Sequence, residues 1–413
     1  LYPIFKYMNL MNLPWQRLDA DGFDRVMIGG RNFAYAEGLD AFVETLSRDF
    51  PAEREGLRRY ADIMGDIGQH LHDAILPRDE VNFFNTSLFS QSAYEFLETN
   101  FQDPLLRNVL SGSSLKMELN KETLPLYTFA QGNNSFIESS WRLKGDGSML
   151  VDSLIHDIRS MGGEVICNSK VEELVEQDGR LVAALTENGE RYEGEWFISD
   201  THPAITVDLV KESTKMKKVF RRRIHSLSNT YGMYTVSLVI KPNTLRYFNW
   251  NQYIYKEPNV WTYFLDNEPV SGILISCRVP EDGSPYTRCI DLVTPMPWSK
   301  MSAWIDTKVG QRGEDYRAFK KRKAEECIAL AETYIPGLHE MIESSFSSTP
   351  LTYRDYTGTP EGSAYGVRKD WNSPMMTLLT PKTPIPNLLL TGQSLTLHGL
   401  LGVSMTSLFT CAE

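Results

Sequence analysis

The carboxy-terminal segment holds the residues whose types and spacing are best suited to chemistry. Leu388–Leu390 is a short apolar run that predicts a buried strand. Gly392 and Gln393 interrupt this run, Gly402 allows a close backbone approach, and an apolar, helix-compatible stretch follows from Val403. Unpaired amides and the helix dipole at such a helix start favour an electron-rich group. The spacing alone is equally compatible with an ordinary strand–loop–helix corner.

This segment resembles the carboxy-terminal flavin-binding signature of the phytoene desaturase, carotenoid isomerase and retinol saturase family of flavoproteins. The resemblance implies that Gly392 and Gln393 lie against the ribityl-pyrophosphate part of FAD. It also implies that a helix beginning near Gly402 and Val403 directs its amino terminus at the pyrimidine edge of the isoalloxazine, where reduced flavin carries negative charge. A side chain at position 402 would then collide with the flavin ring.

A second segment, residues 144–212, has a related pattern. Ser148 precedes an amphipathic helix that Gly162-Gly163 ends, and strands are predicted at 165–167, 171–175, 181–185 and 192–199. Asp178-Gly179 and Asn188-Gly189 are hairpin signals. The layout resembles the second segment of the FAD domain in glutathione-reductase-like flavoproteins, which implies that the backbone at Val171 meets the adenine end of FAD.

We therefore expect an α/β (α+β) fold with a glutathione-reductase-like FAD-binding domain, incomplete in this chain, and a discontinuous substrate domain of mixed sheet and helices. Residues 1–143 are assigned to the first part of the substrate domain, with a helical stretch at 40–76, and residues 213–344 to its second part. Residues 144–212 and 345–413 are assigned to the FAD-binding domain.

The dinucleotide fingerprint, a strand followed by G-x-G-x-x-G and a helix, does not occur in the sequence. The nearest match, Gly145-Asp-Gly-Ser-Met-Leu, lacks the third glycine and follows a predicted loop. In the resembled family the fingerprint lies at the extreme amino terminus. The resemblance thus implies an amino-terminally truncated flavoprotein, and we expect this chain to bind FAD weakly or not at all.

The charge and cysteine content of the chain limit the classes of partner and the cellular compartment that we expect. A net charge of −11 disfavours a nucleic-acid partner. The five cysteines are scattered without a C-x-x-C pair, which favours free thiols in a reducing cytoplasm and predicts no metal site. The basic run between Lys211 and Arg223 is interpreted as a solvated helix face. The alternative is peripheral docking to an anionic membrane.

Eight aromatic residues lie between Tyr247 and Phe264. One interpretation is a sheet face packed on the core, because aromatic residues favour strands. The other is the wall of an apolar tunnel for a long hydrophobic substrate, with Tyr253, Tyr255, Trp261 and Tyr263 in pairs on one strand face.

The resemblance implies an FAD-dependent oxidoreductase that acts on carbon–carbon double bonds of a hydrophobic polyene or isoprenoid. It leaves open saturation, desaturation and isomerisation, and NAD(P) is one electron source to consider. Because the cofactor carries the hard chemical step, no catalytic triad is required. His398 is a candidate proton donor or electrostatic partner, against a structural loop histidine. The alternative is a flavin-independent prenyl-binding protein of the related escort type.

Overall fold

The computed structural model describes residues 1–75, 86–266 and 268–413. Its α-helices are α1 (Tyr2–Tyr7), α2 (Leu39–Asp49), α3 (Arg54–Ile75), α4 (Thr86–Phe89), α5 (Ala93–Asn100), α6 (Pro104–Gly112), α7 (Leu126–Glu138), α8 (Ser148–Ser160), α9 (Pro203–Leu209), α10 (Lys218–His225), α11 (Gly313–Ala331), α12 (Leu338–Met341), α13 (Pro350–Thr357), α14 (Pro374–Thr377) and α15 (Gly399–Cys411).

The strands are β1 (Trp15–Arg17), β2 (Asp24–Ile28), β3 (Arg31–Tyr35), β4 (Trp141–Leu143), β5 (Val171–Gln177), β6 (Arg180–Thr186), β7 (Arg191–Glu193), β8 (Phe197–Ser199), β9 (Gly232–Ile240), β10 (Asn251–Tyr255), β11 (Gly272–Cys277), β12 (Cys289–Met296), β13 (Ile342–Ser348) and β14 (Leu388–Leu390). Short 3-10 turns lie at Leu10–Asn12, Pro51–Glu53, Tyr263–Asp266, Trp298–Trp304 and Pro360–Gly362.

The largest sheet has the strand order β13-β9-β12-β11-β10-β2-β3. Its neighbours are antiparallel except for β10 and β2, which run parallel with Asn251 opposite Asp24. Alternate residues of a strand point to opposite faces, so β10 directs Tyr253 and Tyr255 into one core and Ile254 into the other. Helices α2, α3, α6 and α7 supply the first core, and α11 covers the second. The central strands of this sheet are therefore buried on both faces.

A smaller body carries the carboxy-terminal segment. Strands β14 and β8 pair in parallel, and β5, β6 and β7 form an antiparallel meander. The Asn387 side chain joins the two sheets, because its Nδ2 donates to the carbonyls of Leu181 and Glu195 and its Oδ1 accepts from the Leu181 amide. Leucines of β14 pack with residues of β5, β6 and α9 in one hydrophobic cluster.

The mixed α/β class predicted from the sequence is confirmed. The helical prediction for 40–76 is realised as α2 and α3 with a turn at Pro51, and residue 76 lies outside the described residues. Helix α8 forms between Ser148 and Ser160, although none of its residues is buried. No helix within the described ranges is both long and apolar enough to cross a membrane.

Three local predictions were wrong. Residues 165–167 form no strand, because no described strand offers them a hydrogen-bonding neighbour. The strand predicted at 192–199 is two strands, β7 and β8, separated by Gly194–Trp196. A strand, β4, does precede Gly145, but it pairs antiparallel with β1 and so belongs to no parallel dinucleotide-binding sheet.

Candidate functional site

The loop after β14 is shaped around Gly392. The Thr391 amide donates to the Ser199 carbonyl, which extends the pairing of β14 with β8 by one residue. Gly392 then turns with φ +93°, and a Cβ built there would lie 2.0 Å from Oδ1 of Asp200. Only glycine fits this position, because a side chain meets both backbone strain and the carboxyl group. Partial desolvation raises the pKa of Asp200.

Helix α15 begins at Gly399, three residues earlier than the sequence analysis expects. His398 is its N-cap residue with extended backbone, and no side chain caps the first turn. Gly399 has φ +73° and is exposed, and the amides of the first helical turn have no acceptor within the helix. This uncapped start fits an electron-rich group, since the helix dipole adds to the unpaired donors.

Gly402 lies inside the first turns of α15, where a Cβ would come within 2.3 Å of the carbonyl carbon and oxygen of Leu397. The glycine thus lets the helix pack directly on the backbone of its own preceding loop. The resemblance implies that glycine is needed at 402 because of the flavin ring. The described residues already require it without a cofactor.

His398 is partly buried and tied to the amino-terminal half of the chain. Its Nε2 lies 2.8 Å from the Lys116 carbonyl oxygen, which can only accept, so Nε2 carries the hydrogen and Nδ1 is left as an acceptor. The imidazole packs against the Tyr365 ring with centroids 4.5 Å apart. Burial lowers the pKa of His398 to about 4, so the ring is neutral near pH 7.

Lys369 is a site residue that the sequence analysis missed. It is 8% exposed, and its Nζ donates to the Ser394 carbonyl at 2.7 Å and to the Thr377 carbonyl at 3.2 Å. Burial lowers the pKa of this ammonium group to about 7. Nothing local in the sequence marks this lysine, because its burial arises from the packing of distant segments.

A small cavity of about 20 Å³ lies beside His398 and Lys369. Its lining includes Thr123 and Thr128, whose buried hydroxyl oxygens have no hydrogen-bond partner among the described residues. A polar void of this size holds one water molecule. The cavity therefore offers a hydrated position next to the loop between Gly392 and His398.

The remaining predicted flavin contacts fall on the same body. Val171 is the first residue of β5 and packs partly buried in the cluster that contains Leu388, Leu390 and Leu395. The partly buried Gln393 has its Cγ near Gly366, and Val403 is partly buried on α15. Gly392, Gln393, Gly402 and Val403 thus belong to one loop–helix unit, and Val171 borders the same core.

The rings of the 247–264 segment are core residues in this structure. Tyr253, Tyr255, Trp261 and Tyr263 are only 1, 2, 5 and 4% exposed. The Tyr255 hydroxyl donates to the Gly112 carbonyl, and the Trp261 indole donates to Ser111. Of the four, Trp261 borders a surface cleft of about 230 Å³. The packing therefore favours the core interpretation over a continuous tunnel wall.

These residues fit one half of an FAD site. The glycine turn at Gly392 and the uncapped start of α15 would hold the ribityl and isoalloxazine parts of FAD. In the described ranges neither parallel strand pair leads into a G-x-G-x-x-G turn, the element that holds the pyrophosphate in dinucleotide-binding folds.

No protein-family model matches the chain, but several sequence relatives and solved structures are similar to it. The chain is 23% identical to all-trans-retinol 13,14-reductase of Danio rerio, over 99% of this chain and 74% of the relative. It is also 23% identical to the Rattus norvegicus protein of that name, over 94% and 71%.

Among solved structures, an oxidoreductase from Methanosarcina mazei superimposes with a TM-score of 0.62 at 12% identity and covers 100% of this chain and 85% of that one. Cyclohexylamine oxidase from Brevibacterium oxydans gives a TM-score of 0.56 at 9% identity, over 98% and 82%. The fold is therefore that of the FAD-binding oxidoreductases. Its sequence relatives are named as retinol reductases and its structural neighbours are oxidoreductases, in agreement with the flavoprotein family that the sequence resembles.

Proposed function

We propose that this protein uses FAD to add two hydrogens across a carbon–carbon double bond of a retinoid or a related isoprenoid. The observation that carries the proposal is the glycine turn and uncapped α15 in a chain whose sequence relatives are retinol reductases. The relatives' names favour saturation over desaturation and isomerisation. The escort-protein alternative has no support among the relatives reported above.

Bound FAD would supply the hydride for such a reduction. The chain's own contribution starts at α15, whose unpaired amides favour negative charge in front of them. His398 is neutral and presents Nδ1 as an acceptor, so it does not hold a proton for transfer near pH 7. Lys369, with a pKa of about 7, holds a proton at Nζ and borders the same small cavity as His398. This makes Lys369 the better proton reservoir of the two.

The surroundings of the loop suit an apolar substrate. Tyr365 packs on His398, and Tyr231 packs on both Tyr365 and Phe264. These rings, of which Tyr231 and Phe264 are only 6% exposed, give the inner side of the loop an apolar environment. We also propose that NAD(P)H is the electron source. We further propose a cytoplasmic location with peripheral attachment to membranes.

The division of the chain into domains belongs to the same proposal. The large sheet takes strands from 24–35 and from 232–348, which supports a discontinuous substrate domain formed by 1–143 and 213–344, except that β13 continues past residue 344 to Ser348. The β14–β8 pair supports the joining of 144–212 with 345–413.

The test combines flavin titration with product analysis. Purified protein is titrated with FAD and followed by flavin fluorescence, then supplied with all-trans-retinol and NADPH, NADH or dithionite. We expect saturable flavin binding at high FAD concentration and a product two hydrogens heavier than retinol by mass spectrometry. Retinol recovered unchanged with every reductant, in the presence of bound FAD, contradicts the proposal.

A charge placed at the helix start separates flavin binding from folding. Leu400 is 50% exposed in the first turn of α15. Leu400→Glu should leave stability unchanged or slightly higher, because a carboxylate suits a helix amino terminus. It should nevertheless weaken binding of reduced flavin about two- to fivefold through like-charge repulsion. Leu400→Gln is the matched neutral control and should bind as the wild type does.

A further inference from the structure

Helix α10 divides its residues sharply between core and surface. Ile224 is buried, and Phe220 and Leu227 pack beside it against the small-body core, together with the buried Met216. The Arg221 guanidinium donates to the carbonyls of Val207 and Val210, which fixes the helix to α9. One face of α10 is thus firmly anchored, and the opposite face lies on the protein surface.

That outer face concentrates positive charge in an acidic protein. The stretch from Lys211 to Arg223 contains seven Lys and Arg residues and one Glu, whereas the whole chain carries −11. Lys211 pairs with Glu173. Three cations are exposed and form no salt bridge with any described residue: Lys217, Lys218 and Arg222. Their charge is therefore available to an external anionic partner.

Exposed apolar side chains lie beside these cations. Val219 is 78% exposed, one helical turn before Arg223, and the Arg223 guanidinium donates to the Met375 carbonyl at 3.1 Å. Met375 and Met376 on α14 are 79% and 46% exposed. Surface methionines and a valine next to unpaired cations are unusual on a surface that meets only water, and they suit the boundary between headgroups and acyl chains.

The same surface is connected to the candidate site. The Thr377 carbonyl, at the end of α14, accepts a hydrogen bond from Lys369, whose second acceptor is Ser394 in the flavin-facing loop. A lipid-soluble substrate would therefore be met close to the loop that acts on it.

We propose that Lys217, Lys218, Val219, Arg222, Met375 and Met376 form a docking patch for an anionic lipid bilayer. The cations meet lipid phosphates, and the three apolar side chains enter the interface. The inference rests on the proposed peripheral membrane attachment and names the surface responsible for it.

The experiment measures co-sedimentation with vesicles of phosphatidylcholine alone or mixed with phosphatidylglycerol. Wild-type protein should bind the mixed vesicles and lose binding as salt rises. The triple variant Lys217→Gln, Lys218→Gln, Arg222→Gln should lower the partition coefficient roughly 100-fold, since each cation near the surface contributes a factor of about five. Val219→Asp with Met375→Asp should also reduce binding, at unchanged thermal stability.

The control removes the same charge elsewhere: Lys256, Lys308 and Lys321 are exposed and lie outside the patch, and their triple Gln variant should bind as the wild type does. Equal losses for both triples, or binding that ignores lipid composition, overturn the proposal. Failure of the wild type to bind the mixed vesicles also overturns the proposal and would point to an anionic protein partner instead. If the Val219→Asp, Met375→Asp variant binds as the wild type does, the claim that apolar side chains enter the bilayer interface is wrong.

Activity assays distinguish this inference from the proposed reaction. Patch variants should reduce retinol in detergent micelles at the wild-type rate and lose activity when retinol is embedded in anionic vesicles. If the wild type is inactive in both media, the proposed reaction fails, while the vesicle measurements still decide the docking patch. Equal activity of patch variants and wild type on vesicle-embedded retinol contradicts the patch.

Discussion

Lys369 has the most unusual environment of any residue in the site. A lysine that is 8% exposed and held by two carbonyls has a pKa of about 7 because of burial, well below its ordinary 10.5. Between these two pKa values the unfolded chain binds a proton that the folded chain releases. The free energy of unfolding therefore increases with pH across this window.

Lys369→Met should flatten that increase, because methionine does not titrate. The titration of Lys369 adds at most about 1.4 kcal/mol per pH unit to the slope of the wild-type free energy of unfolding. The wild type should therefore gain stability relative to Lys369→Met as the pH rises. Urea unfolding at several pH values between about 7 and about 10 measures the slopes. The exposed Lys321→Met serves as control, and an unchanged slope for Lys369→Met would contradict the assigned burial effect.

Single residues also show how far the sequence could predict the site. Glycines at 392 and 402 are visible in the sequence, and the structure requires both. The reason at 402 lies in contact with Leu397 and could not be inferred without the loop conformation. Lys369 was not predictable, because its neighbours Ser394 and Thr377 come together only after folding.

At the scale of elements, Asn387 performs a task that strands usually perform. Its buried carboxamide exchanges two hydrogen bonds with the Leu181 backbone, each 2.9 Å long, and donates a third to Glu195 at 2.7 Å. It thereby continues the β6 hydrogen-bonding edge into the parallel β14–β8 pair. These three hydrogen bonds and the shared hydrophobic cluster together set the relative position of the two sheets.

Asn387→Ala should lower the free energy of unfolding by about 2–4 kcal/mol, because the buried Leu181 amide and carbonyl are left without partners. Chemical denaturation measures this change. Asn188→Ala removes an exposed 3.3 Å side-chain hydrogen bond and should change stability by less than about 0.5 kcal/mol. Similar values for the two variants would show that the bridge adds little.

Element boundaries were predictable where local signals decide them. Gly162 and the Asp178-Gly179 turn ended α8 and β5 as expected, since glycine accepts positive φ there. The strand predicted at 165–167 failed because pairing needs a neighbour, which periodicity does not reveal. The alternation predicted for Tyr253 and Tyr255 is confirmed in β10, although both faces of that strand are buried. The strand pair predicted for Trp261 and Tyr263 was wrong, because Trp261 lies in a turn and Tyr263 begins a 3-10 turn.

At the scale of the whole molecule, Glu118 joins three distant parts of the chain. The carboxylate is 5% exposed, accepts from the Tyr231 amide at 2.9 Å, and pairs with Arg368 through two guanidinium nitrogens. Glu118 therefore connects the segment before α7, the residue before β9 and the segment that carries Lys369.

Glu118→Gln should destabilise the protein by about 2–3 kcal/mol, below the value for a fully buried pair because the Arg368 side chain is still 30% exposed. Glu314→Gln, which removes an exposed pair with Arg317, should cost less than about 0.5 kcal/mol. Thermal and urea unfolding of the two variants make the comparison. Equal small losses would mean that Glu118 does not hold the segments together.

The parallel pairing of β2 with β10 has a consequence for synthesis on the ribosome. Asp24 and Asn251 are 227 positions apart, so the partner of the amino-terminal strand is translated roughly 10–45 s later. During that interval the β2–β3 hairpin carries an open edge outside the exit tunnel. We therefore expect slower translation up to residue 255 to prolong the exposure of this edge and to increase aggregation of the nascent chain.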